Sequence, residues 1–270
     1  MSRVNSSQLP VGRESFAVRR DGPEEAPGVL LVHGWGSAAR TFDALAARLA
    51  KRYRVIVPDL RGHGATPAGP DARLWVVAAM VDDLAALARS APRPLVAVGH
   101  SLGGQLVSTL AARHDGLLAG VAVLDPAYGA GPDEVAAVPA RAAAIRAGGG
   151  PAAFAQVERG FSAVLPRAAR DGVRADMLAA SPEVLLALLG TTYTGPDEQG
   201  SLDAVRSLAP RRRVPVLAVY STARAAAVEQ ALPHGGPVEV LESPGPGHYI
   251  HLEHPKWTVD TLLAWLAGVL

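Results

Sequence analysis

The chain has 270 residues, 26 basic against 25 acidic side chains and no cysteine; 49% of its residues are hydrophobic and 19% charged. That balance excludes a disordered chain, a general nucleic-acid or anionic-membrane binder, a disulfide scaffold and any thiol nucleophile or thiolate metal site. What remains is one large folded domain, or a domain with an insertion.

The first twenty residues lack the apolar run of a signal peptide, and no uninterrupted apolar stretch reaches the roughly 18 residues of a membrane span. A cytoplasmic protein is therefore expected. The residues from Glu14 to Arg20 alternate and predict an antiparallel edge strand. Six short runs rich in Val, Leu or Ile follow, at 28–32, 53–57, 94–98, 120–124, 215–220 and 237–241. Continuous apolar runs of that length predict fully buried parallel strands with helices over both faces. Helical spacing stands between them: Phe42, Leu45, Ala46 and Leu49 share one face, and Val81, Leu84, Leu87 and Ala88 another. The final segment repeats it with Val259, Leu262, Leu263, Leu266 and Val269. The fold class expected is α/β, a doubly wound and mostly parallel sheet.

The alternation stops between about residues 126 and 210. That stretch is Ala-rich, with helices expected over 133–146, 151–164, 168–180 and 182–189 around the punctuation of Gly148, Gly149, Gly150 and Pro151. So long a structureless loop is improbable, so residues 127–208 are expected to be an inserted helical cap on a core of 1–126 and 209–270. The plainer alternative is that these helices only cover the sheet. Arg211, Arg212 and Arg213 are expected in a solvated loop.

The strongest chemical signal is Gly99, His100, Ser101, Leu102, Gly103 and Gly104, lying between a strand-like run and a helical stretch. A serine on such a turn is lifted above the sheet edge, and glycines on either side avoid collisions across the turn. A serine nucleophile needs a base, oriented in turn by an acid. His248 is the leading base, because it follows the last strand and so reaches the same sheet edge. His33, His63, His100, His114, His234, His251 and His254 are weaker candidates; His251 is expected in a packing or surface role. Asp125 is the favoured acid, closing the 120–124 run in the chain order serine, acid, histidine. It can equally be a turn-forming Asp-Pro, and Glu229 and Glu242 are alternatives. The backbone N–H groups of Trp35 and Leu102 are the expected oxyanion donors, each worth about 3 kcal/mol. An apolar substrate pocket is expected from Trp35, Tyr128, Phe154, Phe161, Tyr193 and Tyr249, with Leu185, Leu188 and Leu189 as further candidates. For the cap residues among these, a place in the cap core is the competing reading. No cofactor or metal is expected, and the partner is a small-molecule substrate rather than nucleic acid or membrane.

Four motifs in order carry a resemblance: His33, Gly34, Trp35 and Gly36; Asp59 to Gly64; Gly99 to Gly104; and Gly247 and His248 followed by Glu253, His254 and Pro255. In these the sequence resembles the α/β-hydrolase superfamily. The resemblance implies the α/β-hydrolase fold with a helical cap. It also implies a structural role for the Asp59–Gly64 loop, bracing the oxyanion turn. Most relatives carry the acid after the strand corresponding to 215–220, where this chain has Ser221, Thr222, Ala223 and Arg224. Some subfamilies place it where Asp125 stands. A serine nucleophile implies an esterase, lactonase, thioesterase or amidase, or a carbon–carbon hydrolase of a diketone-like substrate. Tyr249 replaces the Trp that some of those carbon–carbon enzymes carry. The reading favoured is a small to medium, mostly apolar ester or lactone. A non-hydrolytic cyclase or ligand-binding protein on the same scaffold is the alternative from another class.

Overall fold

The computed structural model describes the backbone of residues 5–11 and 14, and residues 15–195 and 197–270 in full. The start of the expected core segment, residues 1–4, lies outside the described residues. Eight strands form one sheet: β1 (Asn5–Val11), β2 (Glu14–Asp21), β3 (Gly28–Val32), β4 (Arg54–Pro58), β5 (Leu95–His100), β6 (Gly120–Leu124), β7 (Val216–Tyr220) and β8 (Val238–Glu242). Their order is β1-β2-β4-β3-β5-β6-β7-β8, with β1 and β2 antiparallel and the rest parallel. This is the doubly wound, mostly parallel α/β fold expected.

Both faces of the central strands are covered, which is why their sequences are unbroken apolar runs. Leu30, Ile56 and Ala97 face α2 (Val77–Arg89) and α3 (Leu102–Arg113), meeting Met80, Leu84 and Leu106. Their neighbours Val29, Val55 and Val96 face the other way, onto α1 (Asp43–Leu49) and the C-terminal α11 (Pro255–Val269). The edges depart from expectation. β2 is antiparallel but not the edge, because β1 pairs along it from Asn5↔Arg20 to Val11↔Glu14. β8 is only half-buried, since among the described residues no strand lies beyond it.

Between β6 and β7 stand α4 (Pro132–Ala136), α5 (Val138–Glu158), α6 (Arg167–Ala179), α7 (Pro182–Tyr193) and α8 (Leu202–Leu208). The expected break at the glycines falls inside α5, where Gly149 has φ 58° and the helix resumes at a kink. The helix expected to run to residue 164 stops at Glu158. There the chain turns to meet the 248 loop, where the N–H of His248 donates to the Gly160 carbonyl at 2.8 Å. Of these helices α5, α6 and α7 share an apolar cluster that includes Phe154, Met177 and Leu185, while Val205 of α8 packs in a separate one. After β7 come α9 (Ala223–Gln230), then β8, α10 (Ile250–Glu253) and α11. Among the described residues no helix is long and apolar enough to cross a membrane.

Candidate active site

β5 ends at His100 and α3 begins at Leu102, leaving Ser101 alone at the corner with φ 52° and ψ −119°. The corner closes only without side chains on either flank. A Cβ on Gly99 would stand 2.2 Å from the Gly103 carbonyl oxygen, and one on Gly103 would stand 2.0 Å from that of Val32. Ser101 and Asp125 are the two non-glycine residues with positive φ among the described residues. Each such backbone costs about 1–3 kcal/mol, and strain of this kind gathers at functional sites.

Asp125 follows β6 at φ 45°, one strand over from Ser101. Its Oδ2 lies 2.7 Å from Nδ1 of His248. The same oxygen accepts from the Ser221 hydroxyl at 2.9 Å, and Oδ1 accepts from the Ser221 N–H at 3.0 Å. Burial acts to raise the Asp125 pKa, but His248 and the Ser221 donors outweigh it and hold the carboxyl below its ordinary value. An ionised carboxylate only accepts, so Nδ1 of His248 carries the proton of this contact and Nε2 is the ring nitrogen left for other partners. The loop bearing His248 is held at both backbone atoms, by the Gly160 carbonyl and by Nε2 of His100 donating to the His248 carbonyl at 2.9 Å. His100 is fully buried, which pushes its pKa well below 6.5 and keeps the ring neutral.

The turn after β3 approaches the serine closely: a Cβ on Gly34 would lie 3.1 Å from Cβ of Ser101. The backbone N–H groups of Trp35 and Leu102 have no hydrogen-bond partner among the described residues. The Trp35 indole is fixed by donating from Nε1 to the Leu185 carbonyl at 2.9 Å. Behind the turn, Nε2 of His63 accepts from Gly36 N–H at 3.0 Å and Nε2 of His33 accepts from Leu60 N–H at 2.9 Å. The Asp59 carboxylate accepts from Ala39 N–H at 2.7 Å and Ala65 N–H at 2.9 Å.

Ser101, His248, Asp125, Trp35 and Leu102 all line one cavity of about 610 Å³. The hydroxyl of Ser101 makes no hydrogen bond to His248; this contact commonly tightens only with substrate. Tyr128, Tyr193, Tyr249 and Leu189 also line the cavity. Phe154 and Phe161 do not. They meet edge to face at 5.9 Å, and Phe161 meets Tyr249 at 5.2 Å, filling the helical core behind the wall. Leu185 and Leu188 are core as well.

Glu229 is fully buried away from His248. Its Oε1 accepts from Nη2 of Arg212 at 2.8 Å, and its Oε2 from the hydroxyls of Tyr220 at 2.7 Å and Tyr128 at 3.0 Å. Arg212 therefore leaves the solvated loop expected of it, because the buried carboxylate needs its charge. Glu242 ends β8 exposed. His251 is buried and stacks on Phe42 at 4.7 Å, in the packing role expected. Ser221 and the support from His100 had no marker in the sequence, because both are contacts between loops far apart in the chain.

Residues 29–261 match the model of the alpha/beta hydrolase family. Part of the chain is 36% identical over 110 residues to the magnesium-chelatase 30 kDa subunit of Rhodobacter capsulatus, covering 40% of this chain and 38% of that one. A stretch of 90 residues is 43% identical to a pimeloyl-[acyl-carrier protein] methyl ester esterase of Chromobacterium violaceum, covering 33% of each. The chain thus spans well under half the length of these curated relatives. The enol-lactonase structure from Burkholderia xenovorans LB400 superposes with a TM-score of 0.81 at 21% identity, covering 97% of this chain and all of that one. Sheet order, corner geometry and a family match across most of its length agree: the chain belongs to the alpha/beta hydrolase family.

Proposed function

We propose that the protein is a cofactor-independent serine hydrolase of small to medium, mostly apolar carboxylic esters or lactones, acting through an acyl-enzyme. The observation that carries this is the 2.7 Å pair of His248 and Asp125 on the cavity that also holds Ser101 at its strained corner. In this reading Oγ of Ser101 attacks the carbonyl carbon while Nε2 of His248 takes the hydroxyl proton. The carbonyl oxygen gathers negative charge and is received by the N–H groups of Trp35 and Leu102. His248 then gives its proton to the departing alkoxide, and Asp125 stabilises the imidazolium in between. Water repeats the sequence on the acyl-enzyme and frees the acid. Residues 127–208 act as the cap, closing the cavity over the corner.

Labelling with a fluorophosphonate probe tests the nucleophile, and p-nitrophenyl esters of rising chain length beside a lactone panel test the substrate. The expected result is covalent label on Ser101 and turnover that disappears in Ser101→Ala. Undiminished turnover in that variant overturns the reading. The relative named as a magnesium-chelatase subunit favours a second reading, a binding protein on this scaffold. Absence of both label and turnover selects it.

A further inference from the structure

Resting on that reading, we propose that the substrate carries a carboxylate at its far end, received by the guanidinium of Arg141. Arg141 is half-buried on α5 and lines the same cavity as Ser101. Its pose is fixed from across the kink at Gly149. Nε donates to Oε1 of Gln156 at 3.0 Å, and Nε2 of Gln156 donates back to the Arg141 carbonyl at 3.0 Å. One amide thus holds the stem and one edge of the guanidinium, and the Tyr193 hydroxyl interacts with the same guanidinium. Among the described residues no carboxylate forms an ion pair with Arg141.

Asp125, Glu134 and Arg224 are the other Asp, Glu and Arg side chains of the wall. Asp125 is engaged by His248 and Ser221. Glu134, exposed at the start of α4, accepts from the Gly131 N–H at 2.8 Å. Arg224 lines the cavity from an exposed position and also has no carboxylate partner. Neither acid is ion-paired with either arginine, so each guanidinium of the wall is without a carboxylate partner among the described residues. Tyr193 lies beside Arg141, its ring centroid 5.9 Å from the guanidinium carbon. Burial pushes its phenol above the ordinary value, so it stays a neutral donor. Trp35, Leu189, Leu202 and Val228 supply apolar wall for the methylene chain between the two ends. A planar fork is well matched to a carboxylate and poorly matched to an ester or an amide.

The test uses the whole chain and two readouts. In calorimetric titration, adipate binds the wild type and hexanamide binds at least about tenfold more weakly. Arg141→Met weakens adipate by about 10- to 100-fold, and Arg141→Lys by less, since charge remains without the fork. In turnover, across a series of methyl hydrogen esters of dicarboxylic acids of rising length, the best exceeds the matching monoacid methyl ester in kcat/KM. That preference collapses in Arg141→Met. Adipate bound equally by wild type and Arg141→Met overturns the proposal. So does turnover of neutral esters with no adipate binding, which leaves the hydrolase reading standing. Adipate binding through Arg141 with no ester turnover does the reverse. Should Arg141→Met not fold, the adipate and hexanamide comparison on wild type and Arg141→Lys decides alone.

Discussion

Ser221, at the end of β7, gives both its N–H and its hydroxyl to the carboxylate of Asp125 at the end of β6, at 3.0 and 2.9 Å. The acid is thus aimed at His248 by a neighbour on the next strand. Ser221→Ala keeps the backbone donor and loses the hydroxyl. We expect kcat to fall by about tenfold with little change in KM, because a hydrogen bond to a charged group is lost away from the substrate. Steady-state kinetics checks this, and Ser221→Thr, which retains a hydroxyl, recovers most of the rate.

Asp125→Asn preserves the size of the side chain and removes its charge. An uncharged amide neither stabilises the imidazolium nor enforces the tautomer, so kcat should drop by about 10⁴-fold while the fold persists. Glu229→Gln provides the contrast. It leaves Arg212 buried without a counter-charge and should lower the unfolding free energy by an amount on the order of 3–5 kcal/mol, read by denaturant titration. A rate collapse of comparable size in Glu229→Gln at intact stability would move the acid assignment.

Gly103→Ala places a Cβ against the Val32 carbonyl oxygen, backbone against backbone, with no side chain to yield. Destabilisation on the order of 3 kcal/mol or more is expected by denaturant titration. A variant as stable as the wild type would mean the corner opens more easily than its contacts imply.

His63 and His251 are fully buried and held neutral, their pKa values pushed down to about 3 by burial, with His33 and His248 adding repulsion respectively. Below pH about 6.5 the unfolded chain takes up protons that the folded chain refuses. Their contribution is complete above that pH and is lost as pH falls toward about 3. Melting temperature should therefore decline steadily on acidification. The decline should be shallower in His251→Leu, which removes a ring whose two nitrogens have no partner. An equally steep decline would locate the acid sensitivity elsewhere.

Strands β3 to β7 were legible because burial on both faces writes itself as an unbroken run of Val, Leu and Ile. β1 was not, since its residues, Asn5 to Val11, carry neither a run nor a regular alternation. The corner at Ser101 was legible because backbone crowding demands glycines at fixed offsets. Phe154 and Phe161 were misplaced because helical spacing marks an apolar face without telling core from cavity. Arg212 was misread for a related reason: three consecutive arginines look alike until Glu229, distant in sequence, singles one out. Arg141 shares an Ala-rich helix with Arg146, and only the fold sets it in the cavity wall.

The hydrogen bond from His248 N–H to Gly160 ties the helices between β6 and β7 to the histidine loop, and a Cβ on Gly160 would lie 2.8 Å from Cβ of His248. For anyone grafting a foreign helical insertion onto this sheet to change selectivity, the splice is therefore not free. A donor segment with a side chain at the position of Gly160 would unseat the imidazole along with the pocket. A chimera that keeps residues 159–161 of this chain is the one that would separate recognition from turnover.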